Sequence, residues 1–328
     1  MFWIVCRDQK MPERILVTGA NGFVGKALCQ HLVAHGYRVR GVVRGNQRPV
    51  AGVEYAPIHD LASVTRAEWA SMLDDVHVVI HCAALVHQMN GVADPDAYYR
   101  INTAATALLA EAAADAGVRR FVFLSTVKVL GEFTEPGRPF RADDPPNPRY
   151  DYARSKWLAE QALTAVGDRT GMEAVILRPP LIYGPGVGGN FDSLMRLVKK
   201  GVPLPLGAIR NKRSLLAIGN LLDVCEQCIQ RSQPLSGTFL VSDGTDVSTA
   251  ELVSALARSQ GIRVWMVPIP VTLMRMAGWF LGRKEAIDRL VGNLQVDIQA
   301  LCDALEWKPK RTMANELDTI RGDWGDRV

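Results

Sequence analysis

The chain has 328 residues, with 38 basic and 34 acidic side chains for a formal charge of +4; 48% of residues are hydrophobic and 22% charged. At about 150 residues per domain, the length allows two domains or one large domain with an appendage. The small charge excess excludes a nucleic-acid binder built on a basic face, and the composition excludes disorder, collagen and coiled coil as the main architecture.

Residues 1–10 open with the apolar run Met1 to Cys6, too short for a signal peptide or a membrane span. Met11 stands just ahead of the first strand, so these ten residues are expected to form an extension without a structural role. Arg14 to Thr18 reads as a short buried strand, followed at once by Gly19-Ala-Asn-Gly22-Phe-Val-Gly25 and a helical pattern from about Gly22 to His35, with Gly36 as its C-terminal cap. Further strands are predicted over Tyr37–Val43, Val53–Ile58, Val76–Ile80 and Phe121–Ser125. An Ala-rich helix over Tyr98–Ala116 precedes the last of these. This alternation predicts an α/β fold with a Rossmann-type, doubly wound parallel sheet. A loop rich in Pro and charge runs from Gly131 to Tyr152. A helix from about Arg154 to Gly167 and a strand over Glu173–Leu177 then resume the pattern. Beyond Pro179-Pro180 it becomes irregular, so 11–180 is expected to hold the nucleotide-binding domain. Residues 181–328 are expected to form mainly a smaller, mixed α/β substrate-binding domain, interleaved with the first. Val264 to Gly282 carries Pro268, Pro270 and Arg275. It predicts a turn and an amphipathic helix rather than a span, and leaves a membrane-surface contact open.

Six cysteines (Cys6, Cys29, Cys82, Cys225, Cys228 and Cys302) are scattered rather than framed, which points to free thiols and a cytoplasmic compartment. Cys225-Glu-Gln-Cys228 has no second Cys/His cluster to complete a zinc site. It reads as two thiols on a buried helix face, and no metal is expected.

Gly19, Gly22 and Gly25 give G-x-x-G-x-x-G between a strand and a helix. This permits a tight turn and close approach of a pyrophosphate to the N–H groups of a helix start. Asn21, Phe23 and Val24 belong to the same turn. The second strand ends in Arg44 rather than a carboxylate; an Arg there accommodates a ribose 2′-phosphate, so NADP(H) is favoured with NAD(H) as the alternative. Tyr152-Ala-Arg-Ser-Lys156 puts a phenol and an ammonium on one helical face. A nearby cation lowers the phenol's pKa toward the range useful for acid–base work. Thr126, ending the strand before the Pro-rich loop, can hydrogen-bond the same substrate oxygen.

These motifs resemble the extended short-chain dehydrogenase/reductases that act on nucleotide sugars. The matching segments are Thr18 to Gly25, His81 to Ala84, Asn102 to Ala104, Ser125 to Gly131, Tyr152 to Lys156 and Arg178 to Gly186. The resemblance implies a Rossmann domain plus a small sugar-nucleotide domain. It makes Thr126, Tyr152 and Lys156 the catalytic group, places Asp60, Leu61, Ala83 and Ala84 at the cofactor, and sets Asn190, Arg213 and, more loosely, Arg289 at the substrate diphosphate. An Arg fork suits phosphate. Val127-Lys128 stands where 4,6-dehydratases carry Asp-Glu. Arg44 and Val86 stand where 4-epimerases commonly carry an acidic residue and a Lys. The segments from Ser125 to Glu132 and Leu215 to Asn220 look most like 4-keto reductases of UDP-2-acetamido-2,6-dideoxy sugars, which serve surface-polysaccharide synthesis. Reduction at C4 is therefore the first expectation and UDP-sugar 4-epimerisation the alternative. A hydroxysteroid- or flavonol-type reductase would not need Arg213, and a non-catalytic relative would be expected to have lost Tyr152 or Lys156. The expected partner is a UDP-sugar, with no nucleic acid, no membrane span and room for a homodimer.

Overall fold

The computed structural model describes residues 13–86 and 94–323. The extension expected over residues 1–10, Cys6 included, lies outside the described residues. In chain order the first part runs β1 (Arg14–Thr18), α1 (Phe23–Ala34), β2 (Arg38–Arg44), β3 (Val53–Ile58), α2 (Arg66–Met72), β4 (Val78–His81), α3 (Pro95–Tyr98), α4 (Ala105–Asp115), β5 (Arg120–Leu124), α5 (Asp151–Thr170) and β6 (Glu173–Arg178). The second part runs β7 (Leu181–Tyr183), α6 (Gly189–Lys199), β8 (Leu215–Ala217), α7 (Ile218–Gln230), β9 (Gly237–Leu240), α8 (Thr249–Ser259), α9 (Val271–Phe280), α10 (Lys284–Val291), α11 (Gln299–Leu305) and α12 (Met313–Asp323).

Seven strands form one sheet in the order β3-β2-β1-β4-β5-β6-β9, and every neighbouring pair is parallel. The strand order reverses between β1 and β4, which opens a crevice at their carboxyl ends. Every residue of β4 and of β5 is buried, as a sheet covered on both faces requires. Alternate residues point to opposite faces. Ile15, Val17, Val78 and Ile80 pack with Leu28 and Leu32 of α1 and with Leu221, Cys225 and Cys228 of α7. Leu16, Val79, Phe121 and Phe123 pack with Leu109 and Ala113 of α4 and with Ala159 and Leu163 of α5. The two thiols of α7 are thus core side chains. Pairing of β7 with β8 makes a small second sheet, and Tyr183, Phe191, Leu252, Leu256 and Ile320 gather in a separate core beside it.

The helix predicted over Tyr98–Ala116 is interrupted. Tyr99–Ala104 forms a π-helical turn between α3 and α4, and such turns widen the helix where a side chain must be re-aimed. The Pro-rich loop is tied down across the molecule. Thr134 N–H donates to Asn293 O (3.0 Å), Phe140 N–H to Gln295 O (2.9 Å) and Gln295 N–H to Thr134 Oγ1 (3.1 Å). It therefore forms a wall between the end of β5 and the segment after α10.

Candidate active site

The glycine turn sits at the crevice. Gly19 adopts φ +67°, and a Cβ there would lie 3.0 Å from the backbone of Ala83 at the end of β4. A Cβ on Gly25 would lie 2.1 Å from Gly19 O, so only glycine lets α1 start this close to β1. Gly22 is the N-cap of α1, and no side chain caps the first N–H groups. Those donors and the positive end of the helix are left for an anion. Phe23 and Val24 turn inward against the core, while Asn21 Nδ2 reaches Gln47 Oε1 at 3.3 Å. The residues present fit a dinucleotide pyrophosphate.

Arg44 ends β2, exposed, and its guanidinium makes no hydrogen bond among the described residues. Asp60 caps the short turn at Leu61–Ser63 through its Oδ1, 3.5 Å from Ala62 N, and Leu61 is buried beside it. Ala83 and Ala84 continue from β4 along the crevice, half-buried.

Tyr152 lies in the first turn of α5 and Lys156 one turn on, buried. Burial pushes the Tyr152 phenol up to about 12, and the hydrogen bond with the Thr126 hydroxyl pulls the other way. Thr126 follows β5 and caps a short turn through its own hydroxyl, 3.3 Å from Lys128 N. Burial brings Lys156 down to about 7, while Glu160 and Cys82 favour its charged form. Its Nζ stands 4.0 Å from the centre of the Phe123 ring. Thr126 and Tyr152 are thus hydrogen-bonded, and Lys156 follows Tyr152 by one turn of the same helix.

The support behind these groups is where sequence reasoning stopped short. Asn102, on the π-helical turn, accepts from Leu85 N (2.8 Å) and donates to Leu85 O and to Ser155 Oγ (both 3.0 Å). Ser155 Oγ donates to Tyr152 O (2.9 Å), and Thr103 Oγ1 donates to Ser155 O (2.8 Å). The π turn therefore clamps the first turns of α5. Glu160 is buried against Arg178, with Oε1 3.1 Å from Nε and Oε2 2.6 Å from Nη2, and it also accepts from Ser125 Oγ. The signal was present: Glu160 follows Lys156 by four residues, on the same helical face.

His81 completes this layer. Ala83 N–H donates to Thr18 Oγ1 (3.1 Å), and Thr18 Oγ1 lies 2.6 Å from His81 Nδ1. His81 Nε2 lies 2.9 Å from Thr106 Oγ1, which donates to Asn102 O (2.7 Å). Because the Thr106 proton is committed to Asn102 O, the imidazole proton sits on Nε2, and the neutral ring accepts at Nδ1 from the Thr18 hydroxyl. The ring is a neutral link, held down to about 3 by burial and by the charge of Lys156.

The residues expected at a substrate diphosphate are only partly gathered. Asn190 is the second residue of α6, and its side chain lies outside the described residues. Arg213 Nη1 donates to Arg289 O (2.7 Å) and Gly292 O (3.3 Å), so the guanidinium closes the carboxyl end of α10. Burial lowers its pKa, and the nearby Glu132 carboxylate opposes that shift. Glu132 pairs with Lys128 at 3.3 Å, while its buried Oε1 has no hydrogen-bond partner among the described residues. Arg289 points its guanidinium at Glu285 (3.1 Å) rather than at Arg213. Among the described residues, one group could hold a metal ion: His31, His35 and Glu226. It lies where α1 meets α7, outside the crevice. The His31 Nε2–Glu226 Oε2 contact of 2.7 Å accounts for its closeness without an ion.

A parallel sheet with a glycine-lined anion cradle at its switch point, and a Thr/Tyr/Lys group beside it, defines an extended short-chain dehydrogenase/reductase. The chain belongs to the NAD dependent epimerase/dehydratase family, whose sequence model matches residues 15–241. It is 44% identical to the UDP-glucose 4-epimerase of Vibrio cholerae over 310 residues, 93% of this chain and 94% of that protein. Among solved structures, the Bordetella bronchiseptica enzyme WbmG in complex with NAD superposes with a TM-score of 0.77 at 21% identity, covering 98% of this chain and 96% of that one. The UDP-glucose 4-epimerase of Thermotoga maritima with UDP-glucose gives 0.75 at 19% identity, with 95% and 98% covered. At these identities the two structures speak for the fold.

Proposed function

We propose that the chain is a UDP-sugar 4-epimerase working with NAD. The carrying observation is the 44% identity to the Vibrio cholerae UDP-glucose 4-epimerase along nearly the whole of both chains, together with a complete Thr126, Tyr152 and Lys156 group. This reading replaces C4 reduction as the first expectation. The departures at Arg44 and Val86 weigh less than an end-to-end match. NAD likewise displaces NADP, because the family is NAD dependent.

In this reading the glycine turn of 19–25, with Asp60, Leu61, Ala83 and Ala84, lines the cofactor, and Arg44 lies near its ribose. Residues 11–180 chiefly hold the nucleotide, and 181–328 chiefly the sugar nucleotide. Bound NAD supplies a reversible two-electron acceptor at the sugar carbon. Tyr152 accepts the proton of the 4-hydroxyl and later returns it to the same oxygen. Thr126 holds that oxygen, and the charge of Lys156, together with the positive cofactor, offsets the burial that otherwise keeps the phenol protonated. Arg213 meets the diphosphate with the face of its fork not used on α10. Because hydride would leave and return from one fixed side of the site, inversion at C4 requires the 4-keto sugar to present its opposite face, so the sugar turns over while Arg213 keeps its diphosphate in place.

The test is incubation of the purified chain with UDP-glucose and with UDP-N-acetylglucosamine, without added nucleotide. Nucleotide released by heat from the same preparation is identified in parallel. Galacto epimers and released NAD are expected. No epimer, alongside NADPH oxidation by UDP-4-keto-6-deoxy-N-acetylglucosamine, would return the reaction to C4 reduction.

A further inference from the structure

Helix α9 is turned the wrong way round for a helix on a water-facing surface. Its buried residues are Met274 and Gly278, and Gly278 is pressed against α10, where a Cβ would come 2.6 Å from Ile287 Cγ1. On the opposite side Leu273, Met276 and Phe280 fall in one stripe by their i, i+3, i+7 spacing. They are 53%, 56% and 74% exposed, and Trp279 and Leu281 beside them 66% and 73%. The Trp279 and Phe280 rings meet edge to face at 4.9 Å. Single exposed apolar residues are ordinary, but a contiguous aromatic run of this kind marks a contact surface.

Charge identifies the partner. The hairpin from Val271 to Val291 holds four basic and two acidic side chains, a net +2. All four cations are exposed. The two acids are engaged, Asp288 with Arg275 (3.5 Å) and Glu285 with Arg289 (3.1 Å). Arg283 and Lys284 therefore have no acidic partner among the described residues. A second copy of this face would set like charge against like, so the partner is anionic. An aromatic apolar centre rimmed by Arg and Lys matches a phospholipid surface: rings settle at headgroup depth while the cations meet lipid phosphates. We propose that the α9–α10 hairpin docks on an anionic membrane surface. No helix among the described residues is long and apolar enough to cross a membrane, so the hairpin lies on the bilayer rather than through it. The proposal stands on this surface and is independent of which sugar is turned over.

Flotation of the full chain with vesicles tests it. The protein is expected to float with mixed phosphatidylglycerol/phosphatidylcholine vesicles at low salt, less so as salt rises, and not with phosphatidylcholine alone. Trp279→Ser/Phe280→Ser should lower the partition coefficient at least about tenfold through lost apolar burial. Arg283→Gln/Lys284→Gln should lower it about fivefold per charge. Unchanged melting temperature and epimerase activity show that these variants fold; if the aromatic pair does not, the charge pair decides alone. Absence of flotation at low salt overturns the proposal, as does undiminished flotation of the folded variants. So does loss of an oligomer in the aromatic variant, seen by sedimentation, when the parent binds no vesicles.

Discussion

Lys156 and His81 pack on the same aromatic ring. The ammonium lies 4.0 Å from the Phe123 centroid, and the His81 imidazole stacks on that ring with centroids 5.6 Å and planes 16° apart. Two charges so close in a buried layer would repel, and the hydroxyl relay through Thr18 and Thr106 fits a neutral imidazole. His81 therefore leaves the positive charge of this layer to Lys156.

That charge gives a signed pH dependence. Burial holds Lys156 down to about 7 in the ligand-free protein, whereas the unfolded chain keeps that proton up to the ordinary lysine range near 10.4. Between those values the unfolded state binds more protons, so stability rises with pH. Burial also keeps Tyr152 and the thiols of Cys29 and Cys228 protonated up to about 12. These groups act in the opposite sense once an unfolded thiol would ionise, near 8.5. The urea midpoint should climb from pH 7, turn over at about 8.5 and then fall. Lys156→Met should flatten the climb, and a climb of full size in that variant would remove Lys156 as its source.

Glu160 answers both Arg178 and Lys156. Glu160→Gln leaves the Arg178 cation buried with its partner charge gone, at a cost of about 3 kcal/mol in unfolding free energy. It also withdraws the group that most favours the charged form of Lys156, so the ammonium should titrate at still lower pH. Urea unfolding of Glu160→Gln and of Glu160→Gln/Arg178→Met checks this. The double variant should recover part of the loss, and equal loss in both would show that the unpaired cation is not the cause.

The glycines of the cofactor turn are not equivalent. Gly25→Ala drives a methyl to 2.1 Å from Gly19 O, with backbone on both sides, so α1 must withdraw from β1. NAD retention should fall at least about tenfold and the melting temperature with it. Gly22→Ala meets Gly19 O only at 3.2 Å with an ordinary φ of −78°. Its effect should stay within about 1 kcal/mol. Nucleotide released per chain, measured on both variants, separates them; equal retention would contradict the contact.

Arg213 serves α10 and, in the proposed reaction, the diphosphate. Arg213→Lys keeps a charge but loses the planar fork that can span both duties. The KM for the UDP-sugar should rise about tenfold or more with kcat little changed. Arg289→Ala, whose guanidinium is occupied by Glu285, should change KM far less. A larger effect at Arg289 would exchange their roles.

Sequence periodicity places β1 to β6 to within two residues at each end, because a strand in a covered sheet is a short apolar run bounded by turns; β7, β8 and β9, three or four residues each, are too short to stand out in the irregular second part. The glycine turn and the Tyr152/Lys156 face were legible for the same local reason. The π-helical turn was not: one extra residue per turn over Tyr99–Ala104 leaves the Ala-rich pattern intact, and only its partners Leu85 and Ser155 reveal it. Glu160 and Arg178 are 18 residues apart, and nothing local marks them as a pair. Arg213 was picked out by resemblance, yet the role the structure gives it, closing α10, depends on residues 76 and 79 positions further along.

The last strand of the large sheet, Gly237–Leu240, enters only after the chain has built β7, α6, β8 and α7. Helix α7 also fills one face of that sheet with Leu221, Val224 and Cys225. The polypeptide thus crosses between the large sheet and the small one more than once. A fragment ending near residue 180 would expose β6 as a raw edge and strip half the cover from β1 and β4. The first 180 residues are therefore not a severable module. Transplanting substrate preference between relatives calls for exchanges made in place within the intact fold, not splicing one half onto another.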